Sequence, residues 1–212
     1  MVTKTVDLGL PSGLLWATGN IVQDGEIYKV GSETDYGAYF SWGNIEPHFS
    51  SDDSTFDDGY NWDISNTGPY TTTPGASISF TSQSTSARYT ANSGYDAPHE
   101  LLGGSWRMPT AAEFQELYNN TDTEWTSVNG INGRKFKKKT DASVYVFFPA
   151  AGSGFYTLLF NRGFYGYYWS SSLYSADLGY LLGFDCSSVN PQNDSSRFVG
   201  YSVRAVCEKE SL

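Results

Sequence analysis

The chain is poor in the residues that most reactive chemistry needs. Two cysteines, Cys186 and Cys207, stand in 212 residues. That is too few for a disulfide framework, and they lack the C-x-x-C spacing of a zinc or redox site. Two free thiols are the preferred reading, with a single disulfide as the alternative. Only two histidines occur, His48 and His99, neither in a ligand motif, so a non-haem iron site lacks its convergent imidazoles. A copper-thiolate site is disfavoured by the distance in sequence between the two thiols. Serines abound, yet no G-x-S-x-G elbow appears. Glu113 and Glu116 share a helix face, but Glu113 is already explained as part of a helix cap. No catalytic residues, metal site or cofactor are therefore expected. No run approaches the roughly 18–20 apolar residues of a membrane span. The opening residues Met1 to Pro11 lack the apolar core of a secretory leader. Either a leader has been removed, or the protein leaves its cell another way, for example in a virion.

Basic residues are also scarce. Thirteen Lys and Arg against 23 Asp and Glu leave a net charge of −10, which argues against nucleic acid and anionic membrane as partners. The one basic cluster, Arg134 to Lys139, is expected to be the solvated face of a strand with Phe136 turned inward.

What the chain has in quantity is rings and glycine. Aromatics make up 17% of it, and 22 glycines accompany them, which predicts a loop-rich, β-containing fold with a core built from rings. Its length can bury a full core and favours one domain, residues 1–212. Val6 to Trp16 reads as an entry strand and turn punctuated by Pro11-Ser12-Gly13. Glu33 to Trp42 reads as a short helix with Tyr36, Tyr39 and Phe40 at i, i+3 and i+4, although Gly37 opposes it.

Residues from about 50 to 92 are rich in Ser, Thr, Asp and Gly, and aromatics punctuate them, so a packed insertion is expected. Its acidic run (Asp52, Asp53, Asp57, Asp58, Asp63) misses the spacing of a calcium loop and is taken as solvated surface. The clearest helix starts at Thr110, where Thr110 and Glu113 make a capping box and Phe114, Leu117 and Tyr118 the buried stripe. Strands follow at Lys135–Lys139 and Val144–Phe148, with Asn129-Gly130 as a hairpin turn. The pattern is α+β: few helices around a short twisted antiparallel sheet.

The last forty or so residues carry the strongest functional signal. An aromatic–serine block, Tyr167 to Ser172, and a strand-like run, Ser202 to Val206, enclose a tract without sustained helical or strand period. Irregular chain held between rigid flanks is a common way of presenting a binding surface. Within it, Asn190-Pro191-Gln192-Asn193-Asp194 reads as a structural turn.

Four motifs occur in order along the chain: Asp7-Leu8-Gly9-Leu10-Pro11-Ser12-Gly13-Leu14-Leu15-Trp16-Ala17-Thr18, Tyr39-Phe40-Ser41-Trp42-Gly43, Gly103-Gly104-Ser105-Trp106-Arg107-Met108-Pro109-Thr110 and Tyr168-Trp169-Ser170-Ser171-Ser172. From Val6 to Val206 the chain resembles C-type-lectin-fold domains of gut-bacterial and phage surface proteins, relatives of the formylglycine-generating enzyme branch. It is similar to the variable proteins of diversity-generating retroelements, in which an error-prone reverse transcriptase replaces adenines in one C-terminal region.

The resemblance implies a non-enzymatic receptor-recognition protein at a cell surface or on a virion, binding a protein or glycan on another cell. An unvaried adhesin or glycan-binding domain of the same fold is the alternative, and an oxidase of the formylglycine-generating type is a second. The lectin signatures that hold sugar through calcium are absent, since Trp169 is followed by Ser170-Ser171. The resemblance further implies a variable region at about 173–201. Its displayed positions would be Tyr174, Ala176, Asp177, Gly179, Tyr180, Gly183, Asp185, Cys186, Ser188, Ser195, Ser196, Phe198 and Val199. Trp169, Leu182, Phe184, Val189, Arg197 and Arg204 would be its fixed scaffold.

Randomising the first two bases of an Asn codon never yields Lys, Glu, Gln, Met or Trp. These types make up 28 of the 212 residues, so the 29-residue window Leu173 to Tyr201 should hold about four; it holds Gln192 alone. A polar surface loop that lacks Met and Trp for other reasons would show part of the same deficit.

Overall fold

The computed structural model describes residues 4–47, 94–155, 158–175 and 178–209. The expected insertion at about 50–92, its acidic run and His48 lie outside the described residues, as do Ala176 and Asp177. The architecture is mixed α+β, with two short helices and several small antiparallel sheets among the described residues.

Strands β1 (Thr5–Asp7) and β2 (Leu15–Ala17) flank the expected entry turn, which the Gly13 amide closes on the Leu10 carbonyl at 2.9 Å. Strands β3 (Ile21–Asp24) and β4 (Ile27–Val30) pair as a hairpin.

The helix expected at Glu33 to Trp42 is absent. Gly37 takes φ +82°, and a Cβ there would lie 2.6 Å from the Cβ of Asn20. Beyond it the backbone is spent on distant partners: Ala38 N–H donates to Ile21, Phe40 N–H to Tyr201 and Trp42 N–H to Arg197. A helix would have kept these donors for itself. Extended chain instead buries Ala38, Tyr39, Phe40, Ser41 and Trp42 on every side.

Helix α1 (Ala97–Leu102) is capped by Asp96, whose buried carboxylate accepts from the His99 amide at 3.1 Å and from the Met108 amide at 3.0 and 3.1 Å. Helix α2 (Ala111–Asn120) carries the expected capping box: Thr110 Oγ1 accepts from Glu113 N–H, and Glu113 Oε2 accepts from Thr110 N–H at 2.7 Å. Ala111, Phe114 and Leu117 form its buried stripe. Tyr118 does not, being 39% exposed.

The meander β5 (Thr121–Val128), β6 (Ile131–Lys138) and β7 (Asp141–Pro149) follows. Val128 pairs with Ile131 across Asn129 (φ 50°) and Gly130 (φ 83°), a two-residue turn with both residues left-handed, as Asn-Gly favours. In the basic cluster Phe136 points inward and is fully buried. Arg134, two residues away on the same face, goes inward with it, so the solvated-face reading fails there. Lys135 and Lys137 take the other side: Lys135 lies over the Tyr145 ring and Lys137 pairs with Glu124 at 2.9 Å.

After the small hairpin β8 (Ser153–Phe155) and β9 (Leu158–Phe160) comes the sheet that organises the molecule: β10 (Gly166–Leu173), β11 (Leu178–Phe184) and β12 (Val189–Ser196). Thus most of the tract expected to be irregular is two regular antiparallel strands. Neighbouring side chains of β10 enter different cores. Tyr168 joins Trp16, Phe148, Leu182 and Phe184, whereas Trp169 joins Phe40, Trp42, Leu181 and Val203.

The Asn190–Asp194 turn expected from sequence is likewise part of β12. There the register slips, Leu181 facing Asn193 and Gly183 facing Asn190, so the strand carries an extra residue where Pro191 sits. A bulge is where a sheet tolerates a residue with no N–H. Finally β13 (Val206–Cys207) pairs with β2, placing the end of the described chain beside its beginning.

Candidate recognition surface

The residues assigned to the scaffold are packed inside or against the cores. Trp169 is fully buried, donates from Nε1 to the Phe40 carbonyl at 2.8 Å and meets the Tyr201 ring edge-on at 4.8 Å. Leu182 and Phe184 enter the Tyr168 core, with half-buried Val189 packed against it. Arg197 is buried with its guanidinium 5.7 Å from the Trp42 ring. Trp42 is itself fixed by a 2.7 Å bond from Nε1 to the Ser170 carbonyl.

Arg204 is fully buried. It donates to Asn20 Oδ1 at 2.8 Å and to the carbonyls of Ala17 and Phe147 at 3.1 and 2.9 Å, and its guanidinium lies 4.5 Å from the Phe148 ring. Burial lowers its pKa to about 10, still high enough to keep it charged at neutral pH. One guanidinium therefore ties the Ser202–Val206 run to β2, β7 and the loop before β3.

The positions assigned to display do not share one environment. In β11 and β12 Leu178 pairs with Ser196, Gly179 with Ser195 and Tyr180 with Asp194. Pleat alternation therefore puts Tyr180 and Ser196 on one face and Gly179 and Ser195 on the other. On the first face Tyr174, 41% exposed, meets Tyr180 edge-on at 4.9 Å. On the second, Gly179 is buried against the Trp42 ring, where a Cβ would sit 2.8 Å from the indole, and the Ser195 hydroxyl lies 2.9 Å from that of Tyr201. Gly183 is also buried, against the Asn193 amide. Phe198 is half-buried with its ring 5.5 Å from Phe155, and Val199 packs on the Trp169 core.

The loop joining β11 to β12 is built around Asp185. Its Oδ1 accepts from the amides of Ser187 and Ser188 at 2.7 and 2.8 Å and from their hydroxyls at 2.8 and 3.1 Å. The Ser187 hydroxyl and amide, then the Ser188 amide, hold the carboxyl down to about 2. Arg134 braces the loop from inside, donating to the Asp185 carbonyl at 2.8 Å and to Thr123 Oγ1 at 3.1 Å. Asp185 thus shapes the loop, and Cys186, Ser187 and Ser188 are the exposed residues it presents, of which Cys186 and Ser188 were among the expected display positions. Cys186 and Cys207 form no disulfide; Cys207 is buried in β13.

Beside this loop lies a cleft of about 150 Å³ that the sequence reading missed, lined by Tyr165, Tyr167, Gly183, Asp185, Ser188 and Asn193 among others. The Tyr165 and Tyr167 rings stand parallel, 3° apart in plane with centroids at 5.9 Å. A signal existed in the sequence. If Tyr168 faces the core, strand alternation turns Tyr167 to the opposite face, where Gly183 opposite it on β11 leaves room.

Among the described residues no group of three or more His, Cys, Asp or Glu is placed to hold a metal ion, and no helix is long and apolar enough to cross a membrane. No protein-family model, curated protein or solved structure matches the chain.

Proposed function

We propose that this chain is a non-enzymatic recognition protein of C-type lectin fold, whose β10–β11–β12 sheet and its loops dock a protein or glycan on another cell surface. In this reading the protein acts outside its cell, on a cell surface or virion, and a retroelement diversifies part of the tract. The binding is non-covalent, with Tyr174 and Tyr180 as rigid amphipathic contacts and Cys186, Ser188 and Ser196 as small adaptable ones.

One observation carries the reading. Tyr168, Trp169, Leu182, Phe184 and Arg204 are all buried, while Tyr174, Cys186 and Ser188 at the strand ends stand exposed. The exposed residues can therefore vary without disturbing what holds the sheet. The four ordered sequence motifs support the fold, and the near-absence of Lys, Glu, Gln, Met and Trp from the window supports diversification in particular.

Two experiments test the halves separately. Beads carrying the chain are incubated with a panel of bacterial cells, beside beads carrying a variant with alanine at Tyr174, Cys186, Ser188 and Ser196. Cells should be retained by the first and lost from the second. Equal retention by both would refute recognition through these positions. For diversification, the flanking DNA should encode a reverse transcriptase and a near-copy of the Leu173–Tyr201 coding segment, with adenines where the copies differ. Without them the surface is an unvaried one.

A further inference from the structure

We propose that the cleft between the Tyr165–Tyr167 wall and the Asp185 loop receives an arginine side chain from a basic partner protein. This deepens the recognition reading and rests on it, since the cleft opens beside the exposed tip of the same sheet.

The wall is preformed. Tyr167 is fixed from behind by Tyr201, their centroids 5.2 Å apart, and Tyr165 lies parallel to Tyr167 while remaining 38% exposed. A planar, weakly hydrated guanidinium stacks on such a face with little ordering cost, which a compact ammonium does less well.

The other side of the cleft supplies negative charge and acceptors. Asp185 and Asn193 line it together with Ser188. The four contacts to the Asp185 side chain all fall on Oδ1. Arg134, which feels the charge of Asp185, spends its described hydrogen bonds on the Asp185 carbonyl and on Thr123, from the inner side. The field of Asp185 also reaches Tyr167, whose phenol is pushed up by burial first, then by Tyr165 and Asp185.

Size and overall charge agree. The cleft, at about 150 Å³, is smaller than the roughly 300–1,000 Å³ of sites that enclose a drug-sized ligand. It suits a single side-chain end group. A chain of net charge −10 steers cationic partners toward it and repels acidic ones.

The test is an amide-resolved NMR titration of the whole chain with N-acetyl-L-argininamide. Shifts should concentrate at Tyr165, Tyr167, Gly183, Asp185 and Asn193, and weaken as salt is added. N-acetyl-L-citrullinamide, neutral and nearly the same shape, should leave these amides unmoved. Tyr165→Ala should weaken argininamide binding by roughly five- to tenfold. Because that ring is partly exposed, the fold should survive the change, which the unshifted remainder of the spectrum verifies.

The proposal is overturned if argininamide moves none of these amides, if citrullinamide moves them equally, or if Tyr165→Ala binds unchanged. It is also overturned if a methyl hexopyranoside, and not argininamide, produces the shifts, since the cleft would then take a neutral ring. None of these results touches Tyr174 or Ser196. Cell capture that depends on those positions, with argininamide silent, would sink this assignment and leave the recognition reading standing.

Discussion

Asp185 shows how one atom can decide the character of a loop. Four donors converge on its Oδ1 and hold its carboxyl at about 2, against an ordinary value of 3.8. The folded value lies below the unfolded one, so the loop's gain from the anion is complete above about pH 4 and is lost as pH falls through 2. The Ser187 and Ser188 amide resonances should therefore titrate together near pH 2 by NMR, and Asp185→Asn should abolish that titration. A midpoint near 4 would mean that the four contacts do not form in solution. Trp169 sits at the other extreme, fully buried with its N–H satisfied. Trp169→Ala should cost roughly 3–5 kcal/mol in chemical denaturation, whereas Tyr174→Ala should stay within about 0.5 kcal/mol. The resemblance placed Trp169 in the scaffold, and its ring is buried; an aromatic run alone does not imply this, since Tyr165 nearby is 38% exposed. The role of Asp185 was not legible in sequence, because an Asx-type cradle needs the loop path that β11 and β12 create.

At the level of elements, the glycines of β11 separate what can vary from what cannot. A Cβ at Gly179 meets the Trp42 ring, which is buried and anchored to Ser170. One at Gly183 meets the end of the flexible Asn193 side chain at 2.9 Å. Gly179→Val should thus cost about 1–3 kcal/mol as overpacking, and Gly183→Val distinctly less, in paired urea denaturations. Equal costs would show that Trp42 yields. If the tract is diversified, sequenced variants should keep glycine at 179 while residues 174, 186 and 188 change. The elements that sequence located correctly, α2 and the Asn129-Gly130 hairpin, are those whose signals lie within a few residues: a capping box and a left-handed turn. Strands β11 and β12 escaped for opposite reasons. The first is buried on both faces from Leu181 to Phe184 and shows no polar alternation there, and the second is polar and contains Pro191 at a bulge.

Across the whole molecule, β10 belongs to both large cores, through Tyr168 on one side and Trp169 on the other. Strand β13 closes on β2, and Arg204 bonds to segments far apart in sequence. Such sharing predicts that the two cores melt together, in one denaturant transition whether followed by tryptophan fluorescence or far-ultraviolet circular dichroism. Two separated transitions would show that they are independent. Calcium should leave the melting temperature nearly unchanged, because the described carboxylates form no ligand cluster. A rise of several degrees at millimolar calcium would reveal a site.

The amino-acid sequence by itself determined the α+β class, the net negative charge, the capped helix and the hairpin, since composition and contacts a few residues apart suffice for these. Tertiary structure decided the rest. It drew Ala38 to Trp42 into extended chain by giving the amides of Ala38, Phe40 and Trp42 to Ile21, Tyr201 and Arg197, and it sent Arg134 inward to brace the Asp185 loop. It also divided the candidate display positions between two faces of a sheet. Each of these outcomes depends on a partner too distant along the chain for any local pattern to record.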